Sequence, residues 1–244
     1  MGPEEIIKNI QEFFFQNREK YQSEDKVHLD FKDIIAHNYK LAEAILDNAE
    51  EGIKAIQQMA QVEVGTDQVI IENINNLVPL EGLRKEHFKK LIEVEGIIKH
   101  RTGIKPKRKV VKLVCNQCGA FKYAFQEHSH VEYPSICVCG SRKNFKVADE
   151  KFVDQISMQL EQIPSGDSVK LDKLDVRVED PLTAAEYMNR YSPGESVKII
   201  GILKREQKFV RGKPSNVFHR YFNAVNITPM EDKPDDKITP ADIK

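Results

Sequence analysis

The 244-residue chain has no tryptophan, and only four cysteines. No apolar run approaches the ~20 residues that a membrane-spanning helix needs, so no membrane partner is expected. No secretory leader is expected, because Glu4 and Glu5 precede the first apolar residues. Met1-Gly2 is followed by Ile6 where a myristoylation signal carries Ser or Thr. Catalytic signatures are missing as well: there is no phosphate-binding Gly-x-x-x-x-Gly-Lys-Ser/Thr, no His-Glu-x-x-His and no nucleophile elbow. The sole Gly-Lys, Gly212-Lys213, runs into a proline. No enzyme is expected in this stretch of sequence, and catalytic residues are none.

What is present is concentrated. The four cysteines stand as Cys115-Asn-Gln-Cys118-Gly and Cys137-Val-Cys139-Gly. Zinc takes four soft or borderline donors at tetrahedral corners, and a glycine after each pair lets the backbone turn tightly. Cys115, Cys118, Cys137 and Cys139 are therefore the expected ligands of one structural Zn2+. A disulfide framework would need an oxidising compartment. A thiol redox enzyme using Cys115 and Cys118 would leave the second pair idle. His128 and His130 lie between the pairs and are alternative ligands, although four sulfurs already close such a site.

With 40% hydrophobic and 31% charged residues the chain is of soluble globular type, with room for two or three small domains. Its net charge of −1 hides an asymmetry. Residues 1–95 hold 19 acids and 11 bases, whereas the remainder holds 19 acids and 26 bases. From Gly96 to Gln126 there are eight Lys or Arg and no acid. An acidic part joined to a polyanion-binding part is the expectation.

The first third reads helical. Ile6, Ile10, Phe13 and Phe14 recur at helix spacing behind Pro3, Asp30 and Asp33 have the spacing of a modest capping box, and Gly52 suggests a break. From Val69-Ile70-Ile71 onward, short β-type runs alternate with turn residues, and Leu83 to Lys90 reads as a short helix. Gly96 and Gly201 inside strand patterns suit the bends of a closed barrel. The expected fold class is α+β: a helical bundle (1–68), a β-barrel in two segments (69–113 and 149–228), a zinc-binding insert (114–148) and a linker (229–244). Two basic stretches belong to the barrel. Lys99, His100, Arg101 and Lys105 lead the first, and Lys204, Lys208, Arg211 and Lys213 mark a hairpin whose turn is expected over Gly212 to Asn216. Several cations on one face suit a phosphate backbone. Phe209, Phe218, Tyr221 and Phe222 could stack bases, but strand aromatics more often serve the core.

The run Asn76-Leu-Val-Pro-Leu-Glu-Gly-Leu-Arg-Lys-Glu-His-Phe88, the strand ending Gly-Ile-Ile-Lys-His-Arg101, the two knuckles, Leu174-Asp-Val-Arg-Val-Glu-Asp-Pro-Leu182 and Pro193-Gly-Glu-Ser-Val-Lys-Ile-Ile-Gly-Ile-Leu203 stand in one order. In that order the chain resembles the N-terminal portion of an archaeal minichromosome maintenance (MCM) replicative helicase. The resemblance implies an oligonucleotide-binding (OB) barrel with an inserted four-cysteine zinc-binding module, hexamers or double hexamers, and contact with single-stranded and possibly duplex DNA. It implies hairpin contacts at Lys208, Arg211 and Lys213, and single-strand contacts at His100 or Arg101 and at Lys105. The family's arginine falls on His100, one position before Arg101, and two further family cations fall on Gln159 and Asp172, so that part is not carried over. The loop Gln162 to Asp172 resembles the one that communicates with a motor. A C-terminal AAA+ motor with ATP-binding would follow the linker in a full-length chain. Cytoplasmic, nucleoid-associated localisation is implied too. The reading kept beside this one is a non-helicase zinc/OB module acting on RNA or in transcription.

Overall fold

Pro3 opens α1 (Pro3–Gln16), whose Ile6, Ile10, Phe13 and Phe14 share one buried face. A short α2 (Arg18–Tyr21) follows. The computed structural model describes residues 2–21, 26–126, 133–142, 144–164, 172–188, 191–210 and 212–230. His128, His130 and Arg211 lie outside these residues, as do 165–171 of the expected communicating loop and 231–244 of the expected linker.

Strand β1 (Val27–Asp30) then interrupts the helices. Asp30 ends it and caps α3 (Phe31–His37) by accepting from the Lys32 N–H at 3.0 Å. Asp33 does not complete a capping box; its carboxylate takes the Lys20 ammonium and the Tyr21 hydroxyl. Asn38 caps α4 (Tyr39–Asp47) through the Leu41 N–H. The break between α4 and α5 (Ala49–Glu63) falls at Asn48, and Gly52 lies inside α5. Its reason is packing: a Cβ at Gly52 would meet Ile45 Cγ2 at 2.9 Å.

Strand β2 (Val69–Glu72) pairs in parallel with β1 and forms no part of the larger sheet. The segment 69–113, expected to be barrel, is thus divided. Leu83 to Lys90 is no α-helix but irregular backbone around one tight 3-10 turn, Lys85–His87, and a second such turn, Leu80–Gly82, precedes it. Only β3 (Leu91–Arg101) closes the barrel, and β4 (Lys105–Cys115) belongs to the insert's sheet with β5 (Phe121–Phe125). β-propensity marks these runs as strands but does not choose their partners.

The remaining strands are β6 (Phe145–Glu161), β7 (Lys173–Glu179), β8 (Ser196–Val210) and β9 (Lys213–Pro229), with a one-turn α6 (Ala185–Met188) after β7. Pairings β3–β6, β6–β7, β7–β9, β9–β8 and β8–β3 close a five-stranded ring, parallel only between β7 and β9. That is OB connectivity. Long β6 serves both sheets. Phe145 to Gln155 pair with β4, and Gln155 to Glu161 pair with β7.

The barrel core holds Val94, Ile98, Ile156, Leu160, Val176 and Phe222. The helices have no complete core of their own. Leu91, Ile200 and Ile202, from the barrel wall, are buried among Phe14, Leu41, Ile45 and Ile56. Each such burial is worth about 2 kcal/mol. Buried Asn226 donates from Nδ2 to the Ile71 carbonyl at 3.0 Å, tying β9 to the small sheet.

Gly201 sits at a bulge between β8 and β9, where a Cβ would fall far inside contact distance of the Asn223 carbonyl. Gly201→Ala should lower unfolding stability by about 1–3 kcal/mol in urea titration. Gly103→Ala, which meets nothing within 4 Å, should leave it nearly unchanged.

Candidate metal centre and nucleic-acid interface

The two knuckles are built alike. Gly119 has φ +73° and returns its N–H to the Cys115 carbonyl; Gly140 has φ +83° and returns its N–H to the Cys137 carbonyl. Only glycine takes that backbone without strain. The knuckle strands are also tied to one another: Asn116 N–H donates to the Asn144 carbonyl, and its side-chain amide donates to Asn144 Oδ1 at 2.9 Å.

These turns gather the sulfurs. All four Sγ atoms lie within 4.8 Å of one another, with Cys115–Cys139 at 3.8 Å and Cys118–Cys137 at 3.6 Å. An ion bound about 2.3 Å from each sulfur sets tetrahedral neighbours about 3.8 Å apart. The donor set therefore fits one metal ion, and it uses both pairs, unlike a lone redox Cys-x-x-Cys. Backbone N–H groups of Cys118 and Gln117 aim at the Cys115 sulfur and lower its pKa to about 6. The Ala120 N–H acts likewise on Cys118, but the neighbouring thiols of Cys139, Cys137 and Cys115 push it up to about 12. A dication bound there would displace the proton that Cys118 keeps.

The first basic stretch is less bare than its sequence. Lys99 pairs with Glu161 at 2.8 Å and Arg108 with Glu150 at 3.0 Å. Lys107 (at 2.7 Å) and Lys109 both hold Glu179. Burial raises the Glu179 carboxyl, but the two ammoniums outweigh it and hold it below the usual range. Arg101 donates to the Met188 carbonyl at 2.8 Å. Among the described residues, His100 and Lys105 are exposed and carry no ion pair. The acids that match these cations come from β6 and β7, far away in sequence.

Lys204 is also engaged. It pairs with Glu50 of α5 at 2.7 Å, with 15% of its side chain exposed. A cleft of about 940 Å³ between α5, the insert and the barrel is lined by Lys54, Lys107, Lys109 and Lys204. Glu179 and Glu50 already match three of those lysines, so its floor is an internal charge network.

Past Leu203 and Tyr221 the strands β8 and β9 lose their other partners and pair only with one another, up to Val210–Lys213. This two-stranded ribbon leaves the barrel by roughly 20 Å. The expected turn over Gly212 to Asn216 is not found: Val210 pairs with Lys213, and Lys213 to Asn216 already belong to β9. Its base is braced by Arg177 on Glu206 and by Arg205 over the Phe218 ring at 5.0 Å. Toward the tip, Lys208 and Lys213 are exposed and carry no ion pair among the described residues. Of the four aromatics weighed as stacking platforms, Tyr221 and Phe222 are core, whereas Phe209 is 60% exposed and Phe218 43%. Phe209 and Phe218 lie on the ribbon beyond the barrel wall, a boundary that strand alternation does not reveal.

Two outcomes follow for these charges. Glu179→Gln should remove a stabilisation that is full at neutral pH. In wild type that stabilisation should fade as acid protonates Glu179 below the ordinary carboxylate pKa, so the difference between the two proteins in thermal melts should shrink at low pH. Cys137→Ser, or a strong chelator, should release about one metal ion per chain and expose the remaining thiols to alkylation.

Comparison with known proteins accords with this geometry. Residues 79–207, more than half the chain, match the family described as "MCM OB domain". The DNA replication licensing factor mcm2 of Schizosaccharomyces pombe is 30% identical over 138 residues, covering 56% of this chain and 16% of that protein. Its counterpart from Xenopus laevis is 24% identical over 232 residues, covering 87% of this chain and 26% of that protein. The chain thus spans about a quarter or less of the length of these relatives. A crystal structure of the N-terminal domain of an archaeal MCM superposes with a TM-score of 0.76 at 22% identity, covering 94% of this chain and 100% of that one. No helix among the described residues is long and apolar enough to cross a membrane. Family profile, shared fold and the cluster of four cysteines agree: the chain belongs to the MCM family and has the fold of that family's N-terminal portion.

Proposed function

We propose that this chain is the DNA-binding and ring-assembly region of a replicative helicase. In the whole protein an AAA+ motor would follow it, and ATP binding and hydrolysis would belong to that motor. The observation that carries the reading is the β8–β9 ribbon, which stands clear of the barrel with Lys208 and Lys213 exposed toward its tip and without an ion pair among the described residues. A projecting finger of this kind reaches a strand that the barrel wall does not touch. Arg211 stands between these two lysines in sequence and belongs to the same proposed contact.

Lys105 and His100 are proposed as a second contact, at the start of β4 and the end of β3. Lys99, Arg101 and Lys204 are assigned structural roles instead, because each is engaged within the chain. Zn2+ is the proposed occupant of the four sulfurs. Bound there, it would fix the tip of the insert's sheet as one rigid body. The chain would assemble as a homo-oligomer, a hexamer or a double hexamer, with the ribbons lining a channel around DNA.

Binding by backbone charge has a measurable signature. The affinity for single strands should fall linearly on a log–log plot against salt. Lys208→Ala combined with Lys213→Ala should reduce that slope by about 1.4, since each phosphate contact on single strands contributes about 0.7. Native mass spectrometry should find multiples of six chains. A salt-independent interaction, or an unchanged slope in the double variant, would refute the ribbon as the contact.

A further inference from the structure

One face of the insert's sheet is uncovered. Residues two apart on a strand share a face, and cross-strand partners share it too. On β5 that face carries Phe121, Tyr123 and Phe125, which are 63%, 52% and 68% exposed. In register with them across β4 and β6 stand Lys112, Lys146 and Lys151, with Asp149 the single acid. The opposite face holds the buried Val111 and Leu113. Three large rings in one column on an edge strand are unusual for a bare surface.

The rings and cations are also arranged together. Phe121 and Tyr123 have centroids 6.0 Å apart, and the Lys112 ammonium lies 5.0 Å from one ring centre and 6.0 Å from the other. Lys112, Lys146 and Lys151 form no ion pair among the described residues, in contrast to Lys107, Lys109 and Lys204. The face is therefore both aromatic and positive by two charges. A packed protein interface depletes lysine at its centre. Here lysine stands among the rings, as it does where bases stack and phosphates must be neutralised.

We propose that this face is a platform for single-stranded DNA, separate from the ribbon, on which unpaired bases stack while the three lysines take the phosphates. Duplex DNA would gain little from it, because the faces of paired bases are covered by their neighbours in the stack. Phe125, at one end of the column, also lines the lysine-bordered cleft beside α5, so a strand on the platform would run toward that cleft. The assignment rests on the DNA-binding reading above but not on the ribbon.

The absence of tryptophan makes a direct test possible. In the whole chain, Phe121→Trp introduces one reporter, whose emission should be quenched when oligo-dT is added. Phe121→Ala with Tyr123→Ala should weaken oligo-dT binding about tenfold or more, leave duplex binding unchanged and leave the salt slope unchanged, because stacking releases no counterions. Tyr123→Phe should bind as wild type does. Bound metal per chain, measured on every variant, shows that the knuckles are intact. No quenching together with wild-type affinity in the alanine pair overturns the platform. So does a change in oligomer mass at unchanged affinity, which would assign the face to contact between copies. A ribbon variant that loses slope while the alanine pair binds normally removes the platform and leaves the proposed function standing. If neither variant loses affinity, both fall.

Discussion

Everything distal to the barrel hangs on the continuity of β6. Seventeen residues of extended backbone run from the second knuckle to the far wall of the barrel, with β4 bonded to the first half and β7 to the second. Since both sheets draw hydrogen bonds from one strand, the insert cannot turn independently of the barrel without breaking a ladder. A metal ion on the four cysteines would secure the other end, where β4, β5 and β6 meet the knuckles. A metal bound there and a barrel closed by β3 and β6 are two ends of the same beam.

Parts of this were legible from residues alone. The cysteines and the glycine behind each pair specify the knuckles because metal coordination is local in sequence. Gly201 was legible because a glycine in a β-branched run has few explanations other than close approach. Gly52 misled for the complementary reason. Glycine in a helix can mark a break or a tight crossing, and only the position of Ile45 decides between them. β1 was hidden because four residues between helices carry no periodicity long enough to read. β2 was visible as a strand, yet its partner lies some 40 residues upstream.

The charges teach a sharper lesson. The acid-free run from Gly96 to Gln126 looked like a bare cationic surface, but β-sheet pairing sets strands distant in sequence side by side. Glu150, Glu161 and Glu179 arrive from β6 and β7 to meet Arg108, Lys99 and the Lys107–Lys109 pair. Charge density along a chain therefore overstates charge density on a surface. Among the described residues the cations left without an ion pair include His100 and Lys105 beside the insert, Lys112 and Lys122 on the insert's sheet, and Lys208 and Lys213 on the ribbon.

Leu91, Ile200 and Ile202 bear on how this architecture can be divided. They point outward from the barrel, yet they complete the interior of the helical lobe. The seam visible in the chain's composition is thus not a seam in its greasy interior. Cutting at that seam would strip the drum of its cladding and leave three wet aliphatic studs on its side. The two lobes are halves of one object, and anyone wishing to work with the drum alone would first have to repaint that wall.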